Sequence, residues 1–233
     1  MLYKYETHLH TTQASACAVS EAKDYISAYK KAGYKGLFVT DHFFGGNTSV
    51  PKNLSWQERI ERYCSGFEQA LAEAKAQNKA DGGDFQVFFG IEQTFDGDDY
   101  LLFGLDKNWL LSHPEVETMR HEELFEAVNS VGALMIQAHP FRLRPYITAI
   151  HLHPRDVHGV EIYNGGNKES ENELAALYAE QYGFPVTSGS DIHNIDFLEN
   201  GNMRAGGMAF ETPLESVADF IARVKNKEGI ILK

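Results

Sequence analysis

The sequence predicts an α/β barrel, in which seven or eight strands alternate with helices and close into a regular or slightly distorted ring. Short apolar, β-rich runs alternate with helical patterns along the whole chain, which is typical of βα units. A length of 233 residues suits one such barrel over residues 1–233. Five of the apolar runs end in His, Asp or Glu, as expected where the carboxyl ends of barrel strands meet at one mouth.

The elements are predicted from hydrophobic periodicity and from helix start and stop residues. The predicted strands are 3–8, 36–40, 85–91, 100–104, 133–138, 159–163 and 185–188, with further β-like runs at 206–211 and 229–232. The predicted helices are 21–32, 55–79, 121–130, 169–182 and about 213–225. Ser20 suits the N-cap of the first helix and Gly33 its end. Pro213 suits the first turn of the last helix.

The composition indicates a globular protein with an acidic surface. Hydrophobic residues make up 43% of the chain, and the formal net charge is -12 at pH 7. Because nucleic-acid binding relies on clustered Lys and Arg, no stable nucleic-acid complex is expected. A small anionic substrate is compatible with this charge, since bound cations would cancel part of it locally.

The start of the chain and its cysteines indicate a reduced, cytoplasmic protein. The first residues, MLYKYETHLH, lead straight into the first motif, and no apolar run is long enough to cross a bilayer. We therefore expect neither a secretory leader nor a membrane association. Cys17 and Cys64 have no CxxC spacing, and Cys17 is interpreted as an ordinary small buried residue. The oligomeric state is not indicated.

The first two candidate motifs follow the first two predicted strands. His8 and His10 have i, i+2 spacing, which on a strand places both rings on one face and lets them chelate one cation. Asp41 and His42 directly follow the buried run GLFVT. Asp41 is interpreted as a residue that accepts backbone hydrogen bonds beside the metal site, and His42 as a ligand.

Two further candidates follow the next apolar runs. Glu92 ends FQVFFGIE, and because one carboxylate can bridge two cations, we assign it the bridging role. His139 in QAHPFR is a candidate ligand followed by a strand-stopping proline. Arg142, three residues later, has a planar fork that suits phosphate oxygens, with Arg144 as a weaker substitute. Arg204 is another candidate phosphate contact.

The last motif is SDIH, in which Asp191 and His193 again have same-face spacing. A mixed set of imidazoles and carboxylates without thiolate favours Zn²⁺, Mn²⁺ or Fe²⁺ over Ca²⁺. All of these motifs fall at strand ends. The combination predicts a cluster of divalent cations. Its predicted ligands are His8, His10, His42, Glu92, His139, Asp191 and His193.

The ordered series HLH, TDH, GIE, AHP and SDIH resembles the PHP (polymerase and histidinol phosphatase) family over nearly the whole chain. The resemblance implies a distorted (β/α)7 TIM-like barrel with two or three metals and phosphoester hydrolysis as the usual chemistry. It also implies a distribution of ligands among three cations. His8, His10, Glu92 and Asp191 would share the first, Glu92 and His139 would help to hold the second, and His42 and His193 the third.

The chain departs from the family pattern at two places. Thr11, Thr12 and Gln13 stand where many members have a further His or Asp after HxH. Asp98 and Asp99 stand where many have a His on the strand after the bridging Glu. We therefore expect two metals rather than three. The second and third sites would be completed by water or by substitute oxygens such as those of Asp99, or would not be filled.

A second HxH, His151-Leu152-His153, precedes a predicted strand instead of following one. It is therefore expected to face the opposite, stabilising end of the barrel. His113, His121 and His158 are likewise set aside as surface or packing residues. Asp96 to Asp99 lack the length of an EF-hand loop and are interpreted as a solvated turn.

These observations predict a metal-dependent phosphoesterase for a small phosphorylated substrate, with a metal-bound hydroxide as nucleophile. The expected catalytic residues are Glu92, Asp191, His193 and Arg142. His42 or His193 could protonate the leaving group only where it is not committed to metal. One alternative is a binuclear amidohydrolase acting on C–N bonds, which also begins with HxH but usually needs a carboxylated lysine. Another is a non-catalytic metal-binding domain.

Overall fold

The computed structural model describes residues 1–145, 147–200 and 205–233. Its strands form one sheet in the order β7-β6-β5-β4-β3-β2-β1-β8-β9. They are β1 (Tyr3–Glu6), β2 (Tyr34–Val39), β3 (Gln86–Phe95), β4 (Asp98–Phe103), β5 (Leu134–Gln137), β6 (Gly159–Asn164), β7 (Val186–Gly189), β8 (Gly207–Phe210) and β9 (Ile230–Leu232). The seven predicted strands and the two further β-like runs each correspond to one of these.

The helices lie between the strands. They are α1 (Asp24–Lys31), α2 (Trp56–Asp81), α3 (Lys107–Ser112), α4 (His121–Ser130), α5 (Glu169–Tyr182), α6 (Asp196–Glu199) and α7 (Val217–Lys225), with a 3-10 turn at Pro114–Glu117. Among the described residues, no helix combines the length and the apolar character that a membrane span needs. α3, α6 and the 3-10 turn are too short to leave a periodic signal in the sequence, so they were not predicted.

Two predicted helix starts are wrong. α1 begins at Asp24 without a side-chain cap, and the Ser20 hydroxyl instead accepts a hydrogen bond from the Ile195 N–H at 2.8 Å. α7 begins four residues after Pro213, where the Ser216 hydroxyl accepts from the Asp219 N–H at 3.1 Å. In both cases a tertiary contact or a better cap decides where the helix starts.

Strand direction is not uniform. β1, β2 and β3 are mutually parallel, as are β5, β6 and β7, but β4 is antiparallel to both of its neighbours. β3 and β4 form a hairpin because Asp96 and Gly97 both have positive φ (51° and 93°), as a two-residue turn requires. The six parallel strands therefore still place their carboxyl ends at one mouth, and β4 begins there.

The sheet curls until β7 meets β1, which gives a nearly closed barrel. Just beyond the two strands, the His10 N–H donates to the Ile192 carbonyl at 2.9 Å and the Asp191 N–H to the His8 carbonyl at 2.9 Å. Further down, β8 and β9 add to the sheet, and the Ser188 hydroxyl donates to the Leu232 carbonyl at 2.7 Å. The predicted distorted α/β barrel is confirmed.

Period-2 alternation decides which side chains enter the barrel. On β3, Glu92 points inward while Ile91 joins the outer core beneath α2. On β4, Leu101 and Phe103 join the inner core, whereas Tyr100 faces outward. α7 closes the lower end of the barrel, since the ring of its Phe220 packs on Phe38 and Phe103 with centroids 4.6 and 5.1 Å apart. The mouth at the other end is left to polar side chains.

Candidate metal centre

The barrel mouth brings together all seven side chains that the sequence nominates as metal ligands. They come from the ends of β1, β2, β3, β5 and β7, and all but His42 and His193 are buried. Together with Asp99, they form four overlapping groups in which the imidazole nitrogens and carboxylate oxygens lie within 4.8 Å of one another. These are His8/His10/Glu92, His8/His139/Asp191, His10/His42/His193 and His42/Glu92/Asp99.

Glu92 lies at the centre of the cluster. Its Oε1 atom is 3.0 Å from His8 Nε2 and 3.2 Å from His139 Nε2. Its Oε2 atom is 2.7 Å from His42 Nδ1 and 3.3 Å from His10 Nε2. Each carboxylate oxygen therefore faces a different pair of imidazoles, which is the arrangement that a carboxylate bridging two cations requires.

Asp191 is the second carboxylate of the cluster. Its Oδ1 atom lies 3.1 Å from His10 Nε2, 3.5 Å from His8 Nε2 and 3.6 Å from His193 Nδ1. The backbone of Asp191 has a positive φ of 56°, and that of His139 has one of 29°. Such conformations are uncommon for residues other than glycine, and they occur often at functional sites.

Four buried polar atoms of the cluster lie close to its other members but make no hydrogen bond of acceptable geometry among the described residues. They are His8 Nε2, His10 Nε2, His42 Nδ1 and Glu92 Oε2. Burying a polar atom without a partner costs about 1–3 kcal/mol. Several such atoms at one point therefore indicate that they bind a further group. Nitrogen and oxygen donors that converge in this way fit divalent metal ions of the Zn²⁺, Mn²⁺ or Fe²⁺ class.

The charges of the cluster are strongly coupled. Burial alone would raise the pKa of Glu92, but the neighbouring His42 and His8 outweigh it and hold that pKa well below its usual range. Burial likewise works against protonation of His8, yet Asp191, Glu161 and Glu92 raise its pKa well above 6.5. Burial and the adjacent His193 and His42 lower the pKa of His10 to about 3. Without cations, the neighbouring carboxylates thus keep the His8 ring protonated, whereas the His10 ring is neutral.

Glu161 on β6 supports two of the candidate ligands. Its Oε1 atom lies 3.0 Å from His8 Nδ1, and its Oε2 atom accepts from the His139 N–H at 3.0 Å and from Asn164 Nδ2 at 2.9 Å. A carboxylate can only accept, so His8 keeps a proton on Nδ1 whatever the protonation of Nε2, which faces the cluster. Glu161 is a carboxylate within the apolar run GVEIYN of β6, as Glu92 is within β3, and this is the signal that could have assigned it this role.

Two other buried carboxylates organise the mouth. Glu6 accepts the backbone N–H groups of His8 and Ser190 through Oε1 at 2.9 Å each, which ties β1 to β7. Glu6 precedes His8 by two residues, and this same-face spacing could have indicated that its side chain lies near the cluster. Asp41 accepts from the Thr11 N–H and the Ser15 hydroxyl, both at 2.6 Å. Burial raises the pKa of Asp41 to about 6 despite those hydrogen bonds.

Arg142 points into the mouth, but much of its guanidinium is already bound. Nη2 lies 2.5 Å from Asp191 Oδ2 and 2.8 Å from Asn164 Oδ1, and Nε donates to Asn167 Oδ1 at 2.8 Å. Arg142 thus orients Asp191 as well as lining the cavity. Arg144 instead pairs with Glu171 at 3.0 Å, and Arg204 lies outside the described residues.

Asp99 and Cys17 also lie near the cluster. Asp99, predicted from the sequence as a substitute donor, points its Oδ2 atom towards His139 Nε2 at 3.8 Å. Cys17, interpreted as a packing residue, lies beside His193 and His42 instead. Burial opposes ionisation of the Cys17 thiol, but hydrogen bonds with those two imidazoles lower its pKa to about 6.

The second HxH is not where the sequence placed it. The Gln137 side chain donates to the His151 carbonyl at 2.7 Å, and His151 Nδ1 lies 2.5 Å from Asp98 Oδ2 at the start of β4. His151 therefore lies at the mouth end of the barrel, on its outer side, and the expectation of the opposite end is wrong. The reason is that the connection after β5 runs back along the outside of the sheet, passing the mouth before it reaches β6.

A cavity of about 570 Å³ opens above the cluster. It is lined by Cys17, His42, Gly45, Gly46, Asn47, Glu92, Thr94, Gly97, Asp99, Arg142, Ile147, Asp191 and His193. Its volume lies within the range usual for small-molecule sites. The loop after His42 forms one wall and is held by backbone bonds, including one from the Ala16 N–H to the Asn47 carbonyl at 2.8 Å. It is an ordered connection here.

Comparison with known proteins agrees with this architecture. Residues 169–228 match the family model described as PHP-associated. Over 123 residues the chain is 34% identical to an uncharacterized protein of Methanocaldococcus jannaschii. The aligned segment covers 48% of this chain and 52% of the relative. The chain therefore spans about half the length of the curated relative it matches.

Two solved structures share the fold. A two-domain protein from Bacteroides vulgatus, which contains a predicted PHP-like metal-dependent phosphoesterase, superposes with a TM-score of 0.69 at 14% identity and covers 99% of this chain and 64% of its own. An amidohydrolase from Chromobacterium violaceum superposes with a TM-score of 0.56 at 12% identity, covering 98% and 97%. Residues 169–228 are thus similar to the PHP-associated family, and the chain shares its fold with a protein that contains a predicted PHP-like phosphoesterase, in agreement with the resemblance of its motifs.

Proposed function

We propose that this protein is a metal-dependent phosphoesterase that hydrolyses a small phosphorylated substrate at the barrel mouth. The observation that carries the proposal is the position of Glu92, whose two oxygens face separate pairs of imidazoles at 2.7–3.3 Å. The fold of the chain is similar to that of a protein with a predicted PHP-like phosphoesterase, and this likeness supports the same reaction class. The acidic chain and the cavity of about 570 Å³ favour a small substrate over a polymer.

The cluster supplies the ligands that the reaction needs. His8, His10, Glu92 and Asp191 would hold one cation, Glu92 with His139 and Asp99 a second, and His42 with His193 any third. Bound divalent cations would lower the pKa of a water towards neutrality and neutralise charge on the phosphate. Zn²⁺, Mn²⁺ and Fe²⁺ all suit such donors.

The remaining side chains position and protonate the substrate. Arg142 fixes Asp191 and offers positive charge at the cavity wall, where the equatorial phosphate oxygens would lie. His193 is the most exposed imidazole of the cluster, at 27%, and lines the same cavity. Where no third cation is bound, it is therefore the residue best placed to give a proton to the leaving oxygen.

The experiment compares substrates and variants of the full chain. Protein purified without chelators is analysed for metals and assayed with chromogenic phosphomonoesters and phosphodiesters in the presence of Mn²⁺ or Zn²⁺. We expect Glu92→Gln and His139→Ala to lower hydrolysis by at least about 100-fold, because each removes a proposed ligand, and loss of even a supporting residue costs roughly 10–100-fold. Full activity in either variant would reject these assignments.

Matched controls separate this effect from general damage. Glu68→Gln removes a surface carboxylate that pairs with Lys107, and His113→Ala removes a ring that stacks on Trp109. Both lie outside the cluster and should keep wild-type activity. All four variants are checked for folding by circular dichroism.

A C–N hydrolase is the second candidate, because an amidohydrolase shares the fold. Against it, no lysine lines the cavity in the part of the chain that the structure describes, so a bridging carboxylated lysine has no source. Cyclic amides are assayed in parallel with the phosphoesters. Turnover of amides alone would favour this alternative, and tight metal binding without any turnover would favour a non-catalytic domain.

A further inference from the structure

A second group of metal-binding side chains lies outside the barrel mouth. It consists of His121 at the start of α4 and of His153 and Asp156 in the connection between β5 and β6. One donor atom from each of the three lies within 4.8 Å of the others. The rings of His121 and His153 have centroids 4.1 Å apart. We call these three residues the satellite cluster.

The satellite cluster and the barrel mouth lie on opposite faces of β4. Tyr100 faces outward and packs against the His121 ring, with centroids 4.6 Å apart. The adjacent Asp99 faces inward, towards His139 of the central cluster. Because neighbouring residues of a strand point to opposite sides, the two clusters share no side chain and cannot hold the same ion.

His121 carries the second, independent observation. It is 6% exposed, and neither its Nδ1 nor its Nε2 atom has a hydrogen-bond partner among the described residues. A neutral imidazole has one donor and one acceptor, and leaving buried polar atoms without partners costs about 1–3 kcal/mol each. Packing against Phe95 and Tyr100 accounts for the burial of the ring but not for its bare nitrogens.

We propose that the satellite cluster binds one divalent cation of the zinc class through His121, His153 and Asp156. Two imidazoles and one carboxylate are a usual protein ligand set for Zn²⁺, with water in the fourth position. Donors of one tetrahedral Zn²⁺ ion lie about 3.3–3.4 Å apart, given bonds of roughly 2.0–2.1 Å. Small rotations of the half-buried His153 and Asp156 side chains would bring the three donors to that spacing.

The cation would tie two parts of the fold together. His121 belongs to α4, whereas His153 and Asp156 belong to the same connection as Arg142, which contacts Asp191. An ion that bridges them would fasten this connection to the outer side of the barrel. The ion would thus stabilise the connection that forms part of the mouth without contacting the substrate.

The test uses crystals and solutions of the full chain. Crystals equilibrated with Zn²⁺ at micromolar concentration are measured on both sides of the zinc absorption edge. We expect an anomalous peak between His121, His153 and Asp156, separate from those in the mouth. A map with peaks in the mouth and none at the satellite cluster would overturn the proposal, as would a satellite peak that appears only at millimolar Zn²⁺.

Variants identify the ligands in solution. His153→Asn and Asp156→Asn alter half-buried residues, so both should fold, and each should bind one Zn²⁺ ion fewer than wild type in equilibrium dialysis. His151→Asn is the matched control, because it removes the other ring of the same HxH and its contact with Asp98 while leaving the cluster intact. It should keep the wild-type zinc count.

The outcomes are distinct. An unchanged count in both His153→Asn and Asp156→Asn would overturn the proposal. Loss of the same ion in His151→Asn would show that the ligand set is wrong. Hydrolysis of phosphoesters does not enter these measurements, so the satellite site stands or fails separately from the proposed function.

Discussion

At the scale of single residues, the mouth depends on carboxylates that hold imidazoles in place. Glu161 is the clearest case, because it contacts His8 Nδ1 and the His139 N–H at 3.0 Å each. Such a residue fixes the tautomer and the orientation of a ligand without touching the cation. Glu6 and Asp41 act similarly on the backbone and on Ser15.

Glu161→Gln should weaken metal binding about 10–100-fold while the protein remains folded. The amide keeps the shape but has only one accepting oxygen for donors on both sides of the carboxylate, so His8 loses its fixed orientation. Equilibrium dialysis with Mn²⁺ measures the affinity, and activity should recover partly as Mn²⁺ is raised. Glu126→Gln, at an exposed position of α4, is the control. Wild-type affinity in Glu161→Gln would contradict the positioning role.

At the scale of elements, the ends of β1 and β7 are fitted to each other. Gly189 ends β7 against His8: a Cβ atom placed on Gly189 would lie 2.3 Å from His8 Cβ and 2.9 Å from Glu161 Oε1. The first of these is closer than real Cβ contacts allow. Any side chain at this position would therefore move the first ligand of the cluster.

Gly189→Ala should destabilise the fold by about 1–3 kcal/mol, the usual cost of overpacking, and should also lower metal affinity. Denaturant unfolding and dialysis measure the two effects. In Gly83→Ala, an added Cβ atom would meet only the flexible side chains of Asp81, Asn78 and Lys30, so this control should stay within about 0.5 kcal/mol of wild type. Equal stability and metal affinity in both variants would show that the close approach does not constrain His8.

At the scale of the whole molecule, the proposed cations join segments from five strands at one end of the barrel. Ligand binding to the folded state alone stabilises that state by mass action. Metal removal should therefore lower the melting temperature. The size of the effect depends on pH, because cations compete with protons for the imidazoles.

We expect the gain in melting temperature on adding Mn²⁺ to be larger at pH 8 than at pH 6. Nearby carboxylates raise the pKa of His8 and of His42 well above 6.5, against the effect of burial. In the metal-free protein, the stabilisation from these protonated rings is complete below about pH 6.5 and is lost as pH rises through the raised pKa values. The stability of the metal-free protein thus falls as pH rises. Over the same range, protons compete less with Mn²⁺ for the imidazoles.

Thermal melts at both pH values, with and without a chelator, measure the difference. A gain that is equal at both pH values, or larger at pH 6, would contradict the competition. The control is His113→Ala, which leaves every predicted ligand in place and should reproduce the wild-type pattern.

Local pattern was sufficient for much of the fold. Each strand was located within a few residues, because period-2 alternation and apolar runs are properties of neighbouring residues. Helix starts were predicted less accurately. The predicted start at Ser20 was wrong because its hydroxyl accepts a hydrogen bond from the Ile195 N–H, more than 170 positions away. The antiparallel course of β4 was missed, although the Asp96-Gly97 turn that causes it was recognised as a turn.

The sequence by itself determined which donors stand at strand ends, and hence that seven of them would meet if the barrel closed. Only the tertiary structure decided their partners: Arg142 with Asp191, Glu161 with His8, and His121 with His153 and Asp156. The physical reason is that donor type and periodicity are local, whereas these pairings depend on how the connections after β5 and β6 cross the mouth and the outer face of the sheet.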